Sequence, residues 1–235
     1  MLNISHLSKS FGEKKAVDDL SLQIRPGEIC AFIGHNGAGK TTTLKACCGI
    51  LPFEEGEITV CGKSVRREAV ECKKQLAYLP DNPDLYEFMS GISFLNFVAD
   101  VYEVSKEDRQ RRIEHYSQLL SIRDDLAQPI TAYSHGMKQK LALVAALEHE
   151  PKLILMDEPF VGLDPTASYE LKQLMREHCQ KGGAIFFSTH VLDVAEKLCD
   201  KVAMIRRGKL IAFGTMDQVR GDRSLENVFL ELEGK

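Results

Sequence analysis

The feature that most constrains this chain is the loop GHNGAGKT, running from Gly34 to Thr41. It fits the spacing G-x-x-x-x-G-K-[ST] and follows Ile29–Ile33, a continuous apolar run of the kind a strand buried on both faces carries. A helix-like stretch begins at Lys40, with Gly49 placed to cap it. Strand, glycine loop and helix together are the setting in which backbone N–H groups turn inward around phosphate oxygens. Glycine removes the side chains that would block that approach, and the helix N-terminus adds its positive dipole end. The motif therefore wraps Gly34, His35, Asn36, Gly37, Ala38, Gly39, Lys40, Thr41 and Thr42 around the phosphates of a nucleotide such as ATP. Lys40 is expected to bridge β- and γ-phosphate oxygens, and the Thr41 hydroxyl to ligate Mg²⁺.

A partner motif lies far downstream. LILMDEP, from Leu153 to Pro159, reads as a buried strand ending in two carboxylates. Asp157 can hold Mg²⁺ through water, and Glu158 is placed to polarise a water at the γ-phosphate. Paired acids at a strand end are often a solvated turn, and it is the glycine loop that tips the reading towards chemistry.

The rest of the chain organises around these motifs. Leu20, Leu22 and Ile24 alternate with polar residues as a half-buried strand does, and Pro26-Gly27 closes it. Glu57–Val60, Leu76–Leu79, Leu153–Met156 and Ala184–Ser188 are further strands, with a helix from about Thr166 to Lys181. Val202–Ile205 and Leu210–Phe213, joined through Arg207-Gly208, predict a hairpin. Between Asp84 and Glu150 strand signals vanish and helix formers and charge take over. The run SKEDRQRRIEHYSQLL interleaves acids with arginines, which marks a solvated helix face rather than a nucleic-acid patch. The expectation is one α/β domain. Residues 1–83 and 151–220 form its nucleotide-binding core. Residues 84–150 form a helical insertion, and 221–235 a C-terminal tail.

Composition removes several alternatives. The net charge of −4 gives no global attraction to nucleic acid or anionic lipid. The seven cysteines are odd in number and form no CxxC pair, which fits reduced thiols in a reducing cytosol better than disulfides or a zinc site. The longest apolar stretch, Leu141–Leu147, is far short of the roughly 18 residues a membrane span needs. The opening MLNISHLSKSF alternates and then turns polar, unlike a signal peptide. Work at a membrane would need a partner.

YSHGMKQK, Tyr133 to Lys140, lies between the two nucleotide motifs, with Ser134 able to cap a following helix. With these residues in view, the chain resembles the ATP-binding-cassette (ABC) ATPases over nearly its whole length, and YSHGMKQK resembles a degenerate LSGGQ signature. The resemblance implies that Ser134 and Gly136 hold the γ-phosphate on a second ATPase subunit, in a head-to-tail dimer with two composite sites. It further implies a P-loop nucleoside-triphosphatase core with a mixed sheet and an N-terminal antiparallel β subdomain, and that GLDP, Gly162 to Pro165, brings Asp164 to the dimer contact. His190, ending FFSTH, is similar to the family's switch histidine at the γ-phosphate. Phe11 corresponds to the adenine-stacking aromatic, its alternative being a core phenylalanine.

Asp81, in YLPDNPDLY, occupies the slot of a Mg²⁺-sensing glutamine, and a carboxylate there can still serve Mg²⁺ directly or through water. His135 replaces a glycine of the signature, and its imidazole could either weaken the site or donate to phosphate. These changes and the ending SLENVFLELEG, Ser224 to Gly234, resemble bacterial exporter-type ATPases. The implied function is ATP hydrolysis driving a separate transmembrane permease, with the chain peripheral on the cytoplasmic face of the membrane and no nucleic acid involved. The rival is a soluble ATPase of the same family acting on nucleic acid or ribosomes.

Overall fold

The computed structural model describes residues 1–234. In chain order the elements are β1 (Leu2–Phe11), β2 (Lys14–Ile24), β3 (Ile29–Ile33), α1 (Lys40–Cys47), β4 (Glu55–Val60), β5 (Lys63–Ser64), α2 (Ala69–Lys73) and β6 (Leu76–Leu79). There follow α3 (Gly91–Val101), α4 (Lys106–Leu119), α5 (His135–Leu147), β7 (Leu153–Asp157), α6 (Pro165–Gln180), β8 (Ala184–Thr189) and α7 (Leu192–Leu198). The chain closes with β9 (Lys201–Arg206), β10 (Lys209–Thr215), α8 (Met216–Arg220) and α9 (Leu225–Gly234).

Two sheets form. The larger has the order β10-β9-β3-β8-β7-β6, with β10 antiparallel and the others parallel. The smaller, β2-β1-β4-β5, is antiparallel throughout. The continuous apolar runs of β3, β7 and β8 are explained by burial on both faces. Ile29, Ala31 and Ile33 of β3 join Ile154, Met156, Ile185 and Phe187 in a core under the helices. Cys30 and Phe32, with Leu155 and Phe186, face the opposite way into a core shared with the small sheet and α1. This is the two-residue period of a strand read on both its faces.

Between β6 and β7 lie α3, α4 and α5, as the loss of strand signal predicts. Ser90, Ser105 and Ser134 cap these helices, each accepting a backbone N–H three residues on. The Arg207-Gly208 turn of the β9–β10 hairpin has both residues at positive φ, 48° and 82°, the geometry two-residue hairpins favour. All seven cysteines are free thiols, and six are buried. Among the described residues no helix is long and apolar enough to cross a membrane.

Register places the site. Ile33 is level with Thr189, and Asp157 with Ser188. The glycine loop, Glu158 and His190 therefore leave the same edge of the sheet, outside the carboxyl ends of parallel strands where α/β proteins bind ligands.

Candidate functional site

The glycine loop owes its shape to close backbone approach. A Cβ on Gly39, at φ 116°, would lie 2.4 Å from the Ala16 carbonyl oxygen. Only glycine fits there, so the loop can press against β2 while α1 starts immediately after it. Lys40 is 6% exposed, and its ammonium donates to the carbonyl oxygens of Gly34 at 2.6 Å and His35 at 3.4 Å. Burial pulls its pKa down, while the carboxylates of Glu158 and Asp157 pull it back up.

Opposite the loop, the acids are held by side chains from α1 and from the neighbouring strand β8. Thr41 Oγ1 donates to Asp157 Oδ2 at 2.5 Å, and the Ser188 hydroxyl donates to Asp157 Oδ1. Glu158 has φ 48°, a strained value for a non-glycine residue. Its backbone N–H donates to Ser188 Oγ at 3.0 Å, which fixes the turn. The Glu158 carboxylate then lies 3.9 Å from Lys40 Nζ and 3.0 Å from His190 Nδ1, and it also accepts the His190 backbone N–H at 3.3 Å. Residues 40, 158 and 190, far apart in sequence, are thereby brought into one cluster.

A cleft of about 480 Å³ opens over this cluster, lined by Phe11, Lys14, His35, Asn36, Gly37, Gly39, Lys40, Thr41, Thr42, Asp81, Asp157 and Glu158. Phe11 is 52% exposed at its rim, with Lys9 Nζ 5.2 Å from the ring centroid, so it is no core residue. Asp81 shares the cleft with Asp157 and Thr41. Gly34 and Ala38 lie behind its wall, both buried. The donors beside Thr41 are hard oxygens from one hydroxyl and one carboxylate, a set that fits Mg²⁺, which keeps several waters and takes the rest of its ligands from phosphates. Among the described residues no group of three or more His, Cys, Asp or Glu is disposed to hold a metal alone.

Ser134 and Gly136 do not line this cleft. Ser134 is exposed and caps α5, accepting the Met137 N–H at 3.2 Å. The start of α5 is fastened instead to the loop before α6. Lys140 Nζ lies 2.8 Å from Asp164 Oδ2, while Asp164 Oδ1 caps α6 by accepting the Ala167 N–H at 2.8 Å. The Lys140 bond first, and the Ala167 amide second, hold the Asp164 carboxyl below the usual carboxylate range. A Cβ on Gly136 would meet the Gly162 carbonyl oxygen at 2.8 Å, and one on Gly162 would meet His135 Cδ2 at 2.7 Å. The His135 imidazole thus packs on Gly162 of its own chain.

Sequence reasoning missed Ser188, which orients both acids, and Lys140, which ties α5 to Asp164. Ser188 lies within FFSTH, but nothing local says that its hydroxyl reaches across to β7. Lys140 stood at the end of YSHGMKQK, five residues beyond His135, with no signal of its partner.

Comparison with known proteins agrees with this geometry. A family model described as "ABC transporter" matches residues 17–161. The uncharacterized ABC transporter ATP-binding protein YhcH of Bacillus subtilis is 37% identical over 90% of this chain and 68% of its own length. The ABC-type transporter ATP-binding protein EcsA of the same organism is 32% identical, over 99% of this chain and 96% of its own. A solved structure described as the ATP-binding subunit of an ABC transporter superposes with a TM-score of 0.95 at 34% identity, covering 99% of both chains. The glycine loop, the two acids beside it and these likenesses lead to one conclusion: the chain belongs to the ABC transporter family, as an ATP-binding and ATP-hydrolysing cassette.

Proposed function

We propose that this chain is one of two ATPase subunits that close head to tail over two ATP molecules and drive a separate membrane permease in the direction of export. The observation that carries the reading is the division of the site. Lys40, Thr41, Asp157 and Glu158 line one cleft, with His190 against Glu158 beside it, while the helix N-terminus at Ser134 and Gly136 does not line it. An exposed helix start is a ready anion site, and a second copy can offer it to the γ-phosphate held here.

In this mechanism the loop amides of residues 34–42 grip the phosphates and Phe11 stacks on the adenine. Thr41, Asp157 and Asp81 would hold Mg²⁺, which would neutralise phosphate charge when bound. Glu158 directs a water in line at the γ-phosphate, and its strained turn and Ser188 contacts fix its aim. Lys40 and His190 stabilise charge developing on the transferred group. Asp164 lies at the contact between subunits, and hydrolysis reopens the dimer.

The permease is proposed to dock on the insertion beside Asp81, which would hold the chain to the cytoplasmic face of the membrane. Tyr86, Phe88 and Phe97 form an exposed aromatic group there, Phe88 being 84% exposed. Large apolar side chains gathered at a surface mark an interaction site. No observation favours a nucleic-acid partner. On the charged insertion, Arg109 pairs with Asp100, Arg111 with Asp108, Arg112 with Glu150 and Arg123 with Glu114.

The test is ATP hydrolysis and sizing in Mg-ATP for the purified chain and its Glu158→Gln variant. The expected result is a variant slowed about 100-fold or more that still dimerises with ATP. A wild type that hydrolyses ATP as a monomer, without concentration dependence, would overturn the two-chain reading.

A further inference from the structure

The last helix, α9, belongs to no motif of the nucleotide site, yet it reaches the glycine loop. Its apolar positions Leu225, Val228 and Phe229 recur at helical spacing and are buried, Leu225 completely. Two anchors fix the helix. At its start the Leu225 N–H donates to Glu196 Oε2 at 3.1 Å, and Glu196 is itself held by Arg220 at 2.8 Å. Towards its end the Arg206 guanidinium donates to the Leu232 carbonyl oxygen. Between these anchors the Phe229 ring lies against the His35 imidazole, with ring centroids 5.3 Å apart and planes at 60°.

His35 is a lever on the loop. Its carbonyl oxygen accepts the Ala38 N–H at 3.1 Å and faces the Lys40 ammonium at 3.4 Å. The other side of the loop rests on β9, where a Cβ on Gly34 would meet the Ile205 carbonyl oxygen at 2.4 Å. The loop is thus gripped between β9, whose last residue is Arg206, and Phe229, and Arg206 and Phe229 are joined through α9. α9 also packs on α7, which begins two residues after His190.

We propose that Phe229 is a positioning residue for nucleotide binding: by packing on His35 it holds the glycine loop in its phosphate-binding shape before the nucleotide arrives. The reading rests on the assignment of the loop to nucleotide phosphates. A preordered loop spends less conformational entropy on binding, so the contact acts on affinity and leaves the chemical step alone. Phe229 does not line the cleft.

The experiment measures Mg-ADP affinity by calorimetry, together with the KM and kcat of ATP hydrolysis, for the whole chain. Lys40→Ala is the control for the site itself. If the wild type fails to bind Mg-ADP, or Lys40→Ala binds it as the wild type does, the loop assignment fails and takes this proposal with it. With that control in place, Phe229→Ala is expected to weaken Mg-ADP binding about fivefold and raise KM by a similar factor, with kcat within about twofold of wild type. Phe229→Tyr, which keeps the ring, is expected to restore affinity. His35→Ala, an exposed position that does not threaten folding, should weaken binding similarly, and the double variant should be no worse than the weaker single one. Phe229→Ala with a lowered melting temperature but wild-type Mg-ADP affinity would overturn the proposal. Fully additive losses from His35→Ala and Phe229→Ala would do the same.

Discussion

Around Glu158 the chain builds a closed cluster of side chains, whereas at Ser134 it leaves an exposed helix end. Asp157 and Lys40 are nearly sealed, at 4% and 6% exposure, and strand register and Ser188 hold the two acids in place. The α5 N-terminus is exposed, and its own chain supplies a cap and a tether to Asp164 but no ligand cleft. The difference teaches that the elements of one chain complete the acid cluster but leave the α5 end open. In the proposed two-chain reading, half the site is preassembled in each chain, while the helix end that meets the γ-phosphate arrives on the second copy.

The strongest way to break the comparison is Lys40→Ala, expected to weaken Mg-ADP binding about 100-fold and abolish ATP-driven dimerisation, read by calorimetry and sizing. Ser134→Arg should separate the halves. Mg-ADP binding by the monomer stays close to wild type, while dimerisation is lost and hydrolysis falls at least about tenfold. Equal Mg-ADP losses in the two variants would mean that both halves act within one chain.

A third test concerns the scaffold of the second half. Glu148, just beyond α5, is completely buried, and both its carboxylate oxygens lack hydrogen-bond partners. Burial pushes its pKa up to about 8, against the opposing pull of Arg109 and Arg112 on α4. In the unfolded chain it ionises near about 4.3. Between those values the folded state holds the extra proton, so this residue makes stability fall as pH rises through the window and level off above it. Glu148→Gln should flatten that slope and gain on the order of 2 kcal/mol relative to wild type at high pH, measured by denaturant unfolding at pH 5 and 8.5. An unchanged slope would remove Glu148 as its source.

The smallest effect is expected at the tether. Gly162→Ala meets both a φ of 81° and the His135 imidazole, and should cost about 1 kcal/mol of stability. In a His135→Gly background part of that cost should disappear. If it does not, the imidazole is a bystander and the backbone alone sets the requirement.

Much of this was legible in the linear chain because the constraint was local. GHNGAGKT needs a strand before it and a helix after it, and continuous apolar runs announce strands covered on both faces. The two acids of LILMDEP were placed for the same reason, since a strand end fixes where its next residues point. Phe11 needed the fold to decide between core and cleft, because one aromatic residue near a turn fits both.

The sequence alone determined the α/β fold class and pointed to Lys40, Thr41, Asp157 and Glu158, since each is tied to a turn or strand end by backbone geometry, while the family resemblance pointed to His190. Only the tertiary structure decided that Ser188 holds the acids, that His135 turns onto Gly162, that Glu148 is buried without a partner and that Phe229 rests on His35. Those pairings join residues far apart in the chain, and they depend on how layers pack, which no spacing of residue types encodes.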